Sequence, residues 1–204
     1  MESFELAYRM QTAAPELIDL SSERSHTRAS YGVDRAGEAG SFSQNCLLAR
    51  RLVERGVRMV QLYYGAGQPW DAHGDIMDHK RDALKSDQAI AGLLADLKSR
   101  GMLEETLVLW GGEFGRTPRI NKGAGRDHWG NVYSTVLAGG GIRGGQAHGS
   151  SDKVGGEPVD NPVHVRDLFA TIYHALGFSH ETKVFDPIGR PHFFMEGSVV
   201  EALI

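Results

Sequence analysis

The sequence predicts an α/β fold with a doubly wound, mostly parallel sheet. Amphipathic helical segments alternate with short apolar runs through the middle and later parts of the chain, which is the order expected of a parallel sheet covered by helices. Only a short connection separates the first of these helices from the apolar run that follows it. Polar loops rich in glycine follow the apolar runs, and ligands collect at this edge of such sheets.

The amino-terminal part differs in character from the remainder. Residues 2–12 suit a short helix, and Pro15 is expected to end it. Residues 19–40 are polar and contain glycine, which indicates an exposed connection. We therefore assign residues 1–40 to an amino-terminal helix with its connection, and residues 41–204 to the α/β part.

The remaining elements follow from periodicity and from capping and turn residues. Ser41 or Ser43 can cap the helix that follows residue 40, and Gly56 is expected to end it. The β-branched and aromatic residues of the next run mark it as a strand. The predicted elements are, in order, a helix over SFSQNCLLARRLVERG, a strand over VRMVQLYY, a helix over residues 75–100, strands over TLVLWGG and STVLAGGG, and a helix over HVRDLFATIYHALG.

Composition excludes several classes of function. The net charge of −4 gives no overall basic field, so nucleic acid is not the expected partner. No apolar run is long enough to span a membrane, and the first residues do not have the pattern of a signal peptide. The single cysteine, Cys46, excludes an internal disulfide, and its apolar helical surroundings predict a buried, inert thiol.

The loop GAGQPWDAHGD, which follows the first predicted strand, carries Asp71 and His73. These residues are two positions apart, so in a loop both side chains can turn toward one point. A carboxylate and an imidazole together suit a divalent ion such as zinc or manganese. Because the loop leaves the carboxyl end of a predicted strand, we favour a metal site here over a structural role.

Asp75 and His79 are lower-ranked alternatives for the same metal. They lie four residues apart at the start of the following helix and would share one helical face. We favour a simpler interpretation, in which Asp75 caps the helix and His79 is solvated.

The loop GGEFGRTP leaves the second predicted strand and is therefore expected at the same sheet edge. Its glycines allow the backbone to approach a ligand closely, and Arg116 can hold a phosphate or sulfate through two parallel hydrogen bonds. The alternative is a surface ion pair between Glu113 and either Arg116 or Arg126. Further along, Asp127 and His128 can contribute to the metal site, with the carboxylate orienting an imidazole.

Several segments together resemble a known bacterial family, the domain-of-unknown-function family 1501. These segments are ERGVRMVQLYY, WDAHGD, ADLKSRGMLEETLVLWGGEFGRTP, GRDHW, AGGGIRGGQ and HVRDLFATIYHALG, and they cover nearly the whole chain. The family is sulfatase-like and is similar to the alkaline phosphatase superfamily. The resemblance implies a doubly wound sheet, one or two divalent metals at the strand ends, and cleavage of phosphate or sulfate esters.

The resemblance also assigns ligands. It implies that Asp71 with His73 forms the first ligand pair, although the spacing of Asp75 with His79 is closer to the superfamily pattern. Glu113 and Phe114 align with the strand-end pair of the superfamily, so Glu113 is implied as a ligand or as a residue that orients one. Phe114 stands where a ligating histidine is expected, which puts a second metal in doubt.

The later ligands and the anion-binding residues come from the same resemblance. His128 aligns with the last ligating histidine, with Asp127 beside it. Arg116 and Arg126 are then expected to neutralise charge on the phosphoryl or sulfuryl oxygens. The implied cofactor is a divalent metal: zinc, manganese or calcium.

The first strand, the first metal-binding aspartate and the nucleophile of the superfamily precede the part that this chain resembles. We therefore expect the chain to be the carboxyl-terminal part of one alkaline-phosphatase-like domain, inactive alone, with the missing amino-terminal half as its partner if that half is encoded separately. The expected substrate is a small anionic ester or a sulfated or phosphorylated glycan. The alternatives are a non-catalytic exported binding or structural protein, and a small acid–base enzyme. Such proteins are usually exported to the periplasm or beyond.

Overall fold

A computed structural model describes residues 2–37 and 40–204 as helices joined to short antiparallel strand pairs. The helices are α1 Glu2–Ile18, α2 Ser25–Tyr31, α3 Val33–Ala36, α4 Phe42–Glu54, α5 Asp78–Ser99 and α6 Val165–Ala175. Single 3₁₀ turns lie at Leu20–Ser22, Leu103–Glu105 and Glu201–Leu203. The strands are β1 Val108–Trp110, β2 Gly115–Arg116, β3 His128–Trp129, β4 Val136–Ala138, β5 Ser150–Ser151, β6 Pro158–Asp160, β7 Lys183–Phe185 and β8 Pro191–Phe193.

The predicted fold class is wrong. The strands of the described residues form four separate two-stranded pairs, β1–β4, β2–β3, β5–β6 and β7–β8, and every pair is antiparallel. A doubly wound parallel sheet of the alkaline phosphatase type is therefore not the architecture of this part of the chain. The central strands of such a sheet are buried on both faces, whereas Leu109 and Trp110 of β1 are about half exposed.

Residues 57–64, all of them described, form no strand, although they were predicted to form the first one. From Met59 to Tyr64 their burial still alternates as in a strand. Met59 and Tyr63 are exposed, while Leu62 packs against the core and Tyr64 lies edge-on to Phe42. The segment has the side-chain pattern of a strand without a hydrogen-bonded neighbour. β-propensity reports how side chains fit a half-buried surface and does not supply a ladder partner.

The three main predicted helices are confirmed by α4, α5 and α6. The Ser41 side chain caps α4 by accepting a hydrogen bond from the backbone N–H of Gln44. In contrast to the prediction, Pro15 lies inside α1. The described part of residues 19–40, which were expected as an exposed connection, contains a 3₁₀ turn and two helices, and residues 38–39 lie outside the described residues. The predicted boundary between residues 1–40, the amino-terminal helix with its connection, and residues 41–204, the α/β part, stays a prediction.

Two compact units make up the described part of the chain. The first comprises residues up to Ala72 together with Ile76–Met102, and the second comprises His73–Asp75 together with Leu103–Ile204. In the first unit, α2, α4 and α5 pack around a core of Tyr31, Val33, Cys46, Leu47 and Ala89. Burial raises the pKa of the Cys46 thiol to about 12, in agreement with the expected inert thiol.

A buried arginine lies at the centre of the first unit. Arg50 is 2% exposed, and its guanidinium lies 2.7–2.9 Å from carboxylate oxygens of Glu23, Glu54 and Asp96. The neighbouring Arg51 contacts the second oxygen of Glu23 at 2.8 Å. A charge this deeply buried requires such partners, and the network joins α4 to α5 and to the turn before α2.

The second unit consists of the four strand pairs and α6. Ala170 and Thr171 of α6 are buried, and an aromatic cluster of Tyr173, Phe178 and Phe194 lies beside them. The β2–β3 hairpin lies in sequence between β1 and β4, which pair with each other. This nesting places the residues of GEFGRTP and GRDHW on one hairpin. Among the described helices, none is both long enough and apolar enough to cross a membrane.

Candidate metal centre

A short hairpin presents the candidate site. Gly115 pairs with Trp129 and Arg116 pairs with His128, so the β2–β3 ladder sets Arg116 directly across from His128. A side chain at position 115 would collide with the carbonyl oxygen of Val132. Glycine at this position therefore permits β2 to lie close to Trp129 and to Val132, which follows β3.

His73 is held by a carboxylate of this hairpin. Its Nδ1 lies 2.8 Å from Oδ1 of Asp127. Because the ionised carboxylate only accepts hydrogen bonds, Nδ1 must carry the hydrogen. In the neutral imidazole, Nε2 is then the nitrogen with the lone pair, and a metal binds through that lone pair. The contact with Asp127 therefore selects the tautomer that can bind a metal through Nε2.

The two histidine rings bring their Nε2 atoms together. The Nε2 atoms of His73 and His128 are 3.2 Å apart, and the ring centroids are 4.8 Å apart. Two nitrogens bound to one tetrahedral zinc ion at about 2.0–2.1 Å lie roughly 3.3–3.4 Å from each other. The observed separation of 3.2 Å is close to that requirement.

Asp71 adds a carboxylate to the histidine pair. Asp71, His73 and His128 each offer a ligand atom, and these atoms lie within 4.8 Å of one another. Asp71 precedes His73 by two residues in the same loop, as the sequence analysis expected. This possible metal-binding triad is the donor set found among the described residues. Its mixture of two imidazoles and one carboxylate is typical of zinc sites that keep an open coordination position.

Asp127 orients His73 in this structure. Hydrogen bonds from His73 and then from Asn121 are the main causes that lower the pKa of the Asp127 carboxyl below its ordinary value. The carboxylate therefore stays ionised and keeps its hold on Nδ1. The sequence predicts Asp127 as a metal-site residue that orients an imidazole, and the imidazole it contacts belongs to the distant His73.

Phe114 and Arg116 flank His128. The Phe114 ring lies 4.3 Å from the His128 ring, and the Arg116 guanidinium lies 5.7 Å from the centroid of Phe114. A guanidinium at this distance from an aromatic face is attracted to the ring. The Phe114 ring thus contacts both the His128 ring and the Arg116 guanidinium.

The other two candidates of this region, Arg126 and Glu113, are not among the three donor residues of the triad. Arg126 is half-buried and donates a hydrogen bond to the backbone carbonyl of Pro118 at 3.0 Å, which braces the β2–β3 loop. Glu113 is exposed and is not a member of the triad.

Asp75 and His79 have different surroundings. The half-buried His79 donates from Nε2 to the carbonyl oxygen of Trp70 at 2.8 Å, and its ring packs beside that of Trp70. Helix α5 begins at Asp78, and its N-cap residue is Met77, without a side-chain cap. Neither residue belongs to the triad, and Asp75 does not occupy the predicted capping position.

Sequence reasoning missed Asn121, which contacts both sides of the site. Its Nδ2 donates to the carbonyl oxygen of His73 at 3.0 Å and to Oδ1 of Asp127 at 3.1 Å. The available signal was an asparagine before the glycines of INKGAG, which is typical of a turn held by an asparagine side chain. That signal predicts the turn and gives no information about its distant partner.

Comparisons with known proteins give one result. A family model described as "Protein of unknown function (DUF1501)" matches residues 1–204. No curated protein and no solved structure matches the chain.

Proposed function

The chain belongs to the DUF1501 family, and we propose that it binds a divalent metal ion and acts on phosphate or sulfate esters. The observation that carries the proposal is the 3.2 Å separation of the two Nε2 atoms of His73 and His128. Asp127 holds the opposite nitrogen of His73, which leaves the lone pair of Nε2 for a metal. Such carboxylate–histidine–metal arrangements are the usual second shell of zinc sites.

The donor set favours zinc among the metals considered. Two imidazoles and one carboxylate suit zinc or manganese, whereas calcium takes six to eight oxygen ligands. We therefore rank zinc first, manganese second and calcium third for this site.

The proposed reaction needs an anion site beside the metal. A divalent ion supplies Lewis-acid polarisation of an ester oxygen when it is bound. Arg116 lies across the hairpin from His128 and carries a fixed positive charge, so it is the residue we assign to the charged oxygens of the ester. Arg126 braces the loop through Pro118 in this proposal, and Glu113 has no direct role.

The substrate class completes the proposal. Small anionic esters and sulfated or phosphorylated glycans carry the charged group that a metal and an arginine recognise together. An exported location and a sulfatase-like relationship belong to the same proposal. We assign no nucleophile among the described residues, so the sharpest test measures anion binding.

The test compares sulfate and phosphate binding with and without metal. We expect isothermal titration to show either anion binding to the zinc-loaded protein and not to the metal-free protein. Arg116→Ala should weaken this binding at least tenfold. Arg119→Ala removes an exposed arginine three residues further along the same hairpin and should leave anion binding unchanged. Equal binding by metal-free and loaded protein, or by wild type and Arg116→Ala, would contradict the proposal.

A second candidate function is a non-catalytic binding protein. Phe114 favours it, because an aromatic ring lies against His128 where a further ligand is expected in an ester hydrolase. The same titration separates the two functions: a protein that binds zinc and no sulfate or phosphate fits this second candidate.

A further inference from the structure

We propose that Asn121 is a positioning residue of the metal site: it holds His73 in the tautomer and orientation that metal binding requires, without offering a ligand itself. This inference rests on the proposed metal-binding function and names the residue on which the geometry of the site depends. The residues that carry it, His73, Asn121, Asp127 and His128, all belong to the second compact unit.

Asn121 contacts the two groups that fix His73. One Nδ2 hydrogen bond, of 3.0 Å, goes to the backbone carbonyl of His73 and sets where the loop lies. The other, of 3.1 Å, goes to Oδ1 of Asp127, the same atom that accepts from Nδ1 of His73. A single amide nitrogen therefore fixes both the backbone of His73 and the acceptor of its ring.

The amide oxygen of Asn121 also accepts two hydrogen bonds. It accepts from the backbone N–H groups of Gly123, at 2.9 Å, and Gly125, at 3.1 Å. A flipped amide would set its NH₂ group against these two donors, and its oxygen against a carbonyl and a carboxylate. The network therefore fixes which end of the amide faces the site.

The turn around Asn121 is closed by its own backbone as well. The N–H of Asn121 donates to the carbonyl of Gly125 at 2.8 Å, and the N–H of Ala124 donates back to the carbonyl of Asn121 at 3.1 Å. Ala124 has a φ of 64°, in the left-handed region that alanine rarely adopts. The turn keeps this unfavourable conformation while it directs the amide of Asn121 toward His73.

Asn121→Asp separates the two roles of the side chain. The aspartate retains an oxygen that can accept from Gly123 and Gly125, so the turn is kept. Its second oxygen replaces the donor and faces the His73 carbonyl and the Asp127 carboxylate, where only a donor is accommodated. Asn131→Asp is the matched control, because it adds the same charge at an exposed asparagine of the same unit that bonds Glu157.

The first readout needs no metal. Nitrogen NMR of the histidine rings in the metal-free protein should show His73 with its hydrogen on Nδ1 in wild type and in Asn131→Asp. In Asn121→Asp the hydrogen should shift toward Nε2, or the ring should exchange between both forms. A residue with a merely structural role would leave this ring signature unchanged.

The second readout is zinc affinity, measured by competition with a chromophoric chelator. We expect Asn121→Asp to bind zinc roughly 10–100-fold more weakly than wild type, the usual effect of losing an outer-shell partner, and Asn131→Asp to match wild type. If Asn121→Asp does not fold, Asn121→Ala combined with Ala124→Gly replaces it, because glycine relieves the left-handed turn. Wild-type tautomer and zinc affinity in the Asn121 variant would overturn the inference. Absence of zinc binding by wild type would instead overturn the proposed function, and the NMR result would still test Asn121.

Discussion

Asp127 determines which nitrogen of His73 faces His128. Its carboxylate accepts from Nδ1 at 2.8 Å, and the depressed pKa of Asp127 keeps it ionised. The orientation of the imidazole is thus set by a residue that provides no atom to the triad of Asp71, His73 and His128. Outer-shell carboxylates of this kind raise the basicity of the ligating imidazole.

Replacing Asp127 by asparagine should weaken zinc binding by roughly 10–100-fold. The neutral amide is a poorer acceptor for Nδ1–H and can present its NH₂ group instead. Chelator competition at neutral pH measures the effect, and Asp160→Asn, at an exposed position of β6, serves as the control. Unchanged zinc affinity in Asp127→Asn would show that Asp127 does not orient a ligand.

The sequence identified residues of the site better than their partners. The sequence predicts Asp71, His73 and His128 as ligands from their residue types, an expected shared sheet edge and the family resemblance, and the structure brings them together without that sheet. The contact of His73 with Asp127 spans 54 residues, and that of Asn121 with His73 spans 48. Such contacts depend on how distant loops fold, and no local pattern of residue types specifies them.

At the scale of elements, ion pairs hold α4 in place together with apolar packing. Arg50 and Arg51 are buried on one turn of the helix and share the carboxylate of Glu23. Burial alone would raise the pKa of Glu23, but hydrogen bonds from Arg50 and Arg51 outweigh it and lower the pKa below its ordinary value of 4.5. The ionised form of Glu23 is therefore the form that stabilises the fold.

This pairing makes stability depend on pH in a defined direction. Because the folded pKa of Glu23 is depressed, its contribution is complete above pH 4.5 and is lost as pH falls through the lower folded value. In urea unfolding between pH 7 and pH 3, the unfolding free energy of wild type should fall more steeply below pH 4.5 than that of Glu23→Gln. Parallel profiles would show that Glu23 is not ionised and paired as the structure has it.

The segment of residues 57–64 gives an element-scale test of the fold. From residue 59 onward it alternates in burial like a strand but forms no ladder, whereas α4 and α5 are continuous helices of 13 and 22 residues. Hydrogen exchange should therefore be fast at amides 58–64 and slow in the middle of both helices. Protection of residues 58–64 equal to that of α5 would indicate a central strand and would contradict the structure.

At the scale of the whole molecule, the pairing of strands decides the fold class. The helices were predictable because their periodicity and caps are local, as the Ser41 cap of α4 illustrates. The partner of each strand was not, because an apolar run such as TLVLW is equally compatible with a parallel sheet and with the antiparallel β1–β4 pair. The alternation of helices and apolar runs therefore predicted the elements in part and the topology wrongly.

The histidine pair of the proposed metal site comes from distant parts of the chain. His73 and His128 are 55 residues apart in sequence, and their Nε2 atoms meet only when the β2–β3 hairpin and the loop at residue 73 are both folded. The proposed metal binding at this pair therefore requires the folded protein. A short peptide that contains only one of the histidines lacks the site.

The most direct test of the proposed metal centre is the zinc content of the dialysed protein, measured by elemental analysis for wild type, His128→Ala and His174→Ala. His174 lies at an exposed position of α6, outside the triad, so His174→Ala is the matched control. The structure predicts about one equivalent of zinc in wild type and in His174→Ala, and almost none in folded His128→Ala. Zinc-free wild type, or full retention of zinc by His128→Ala, would contradict a metal site at the histidine pair.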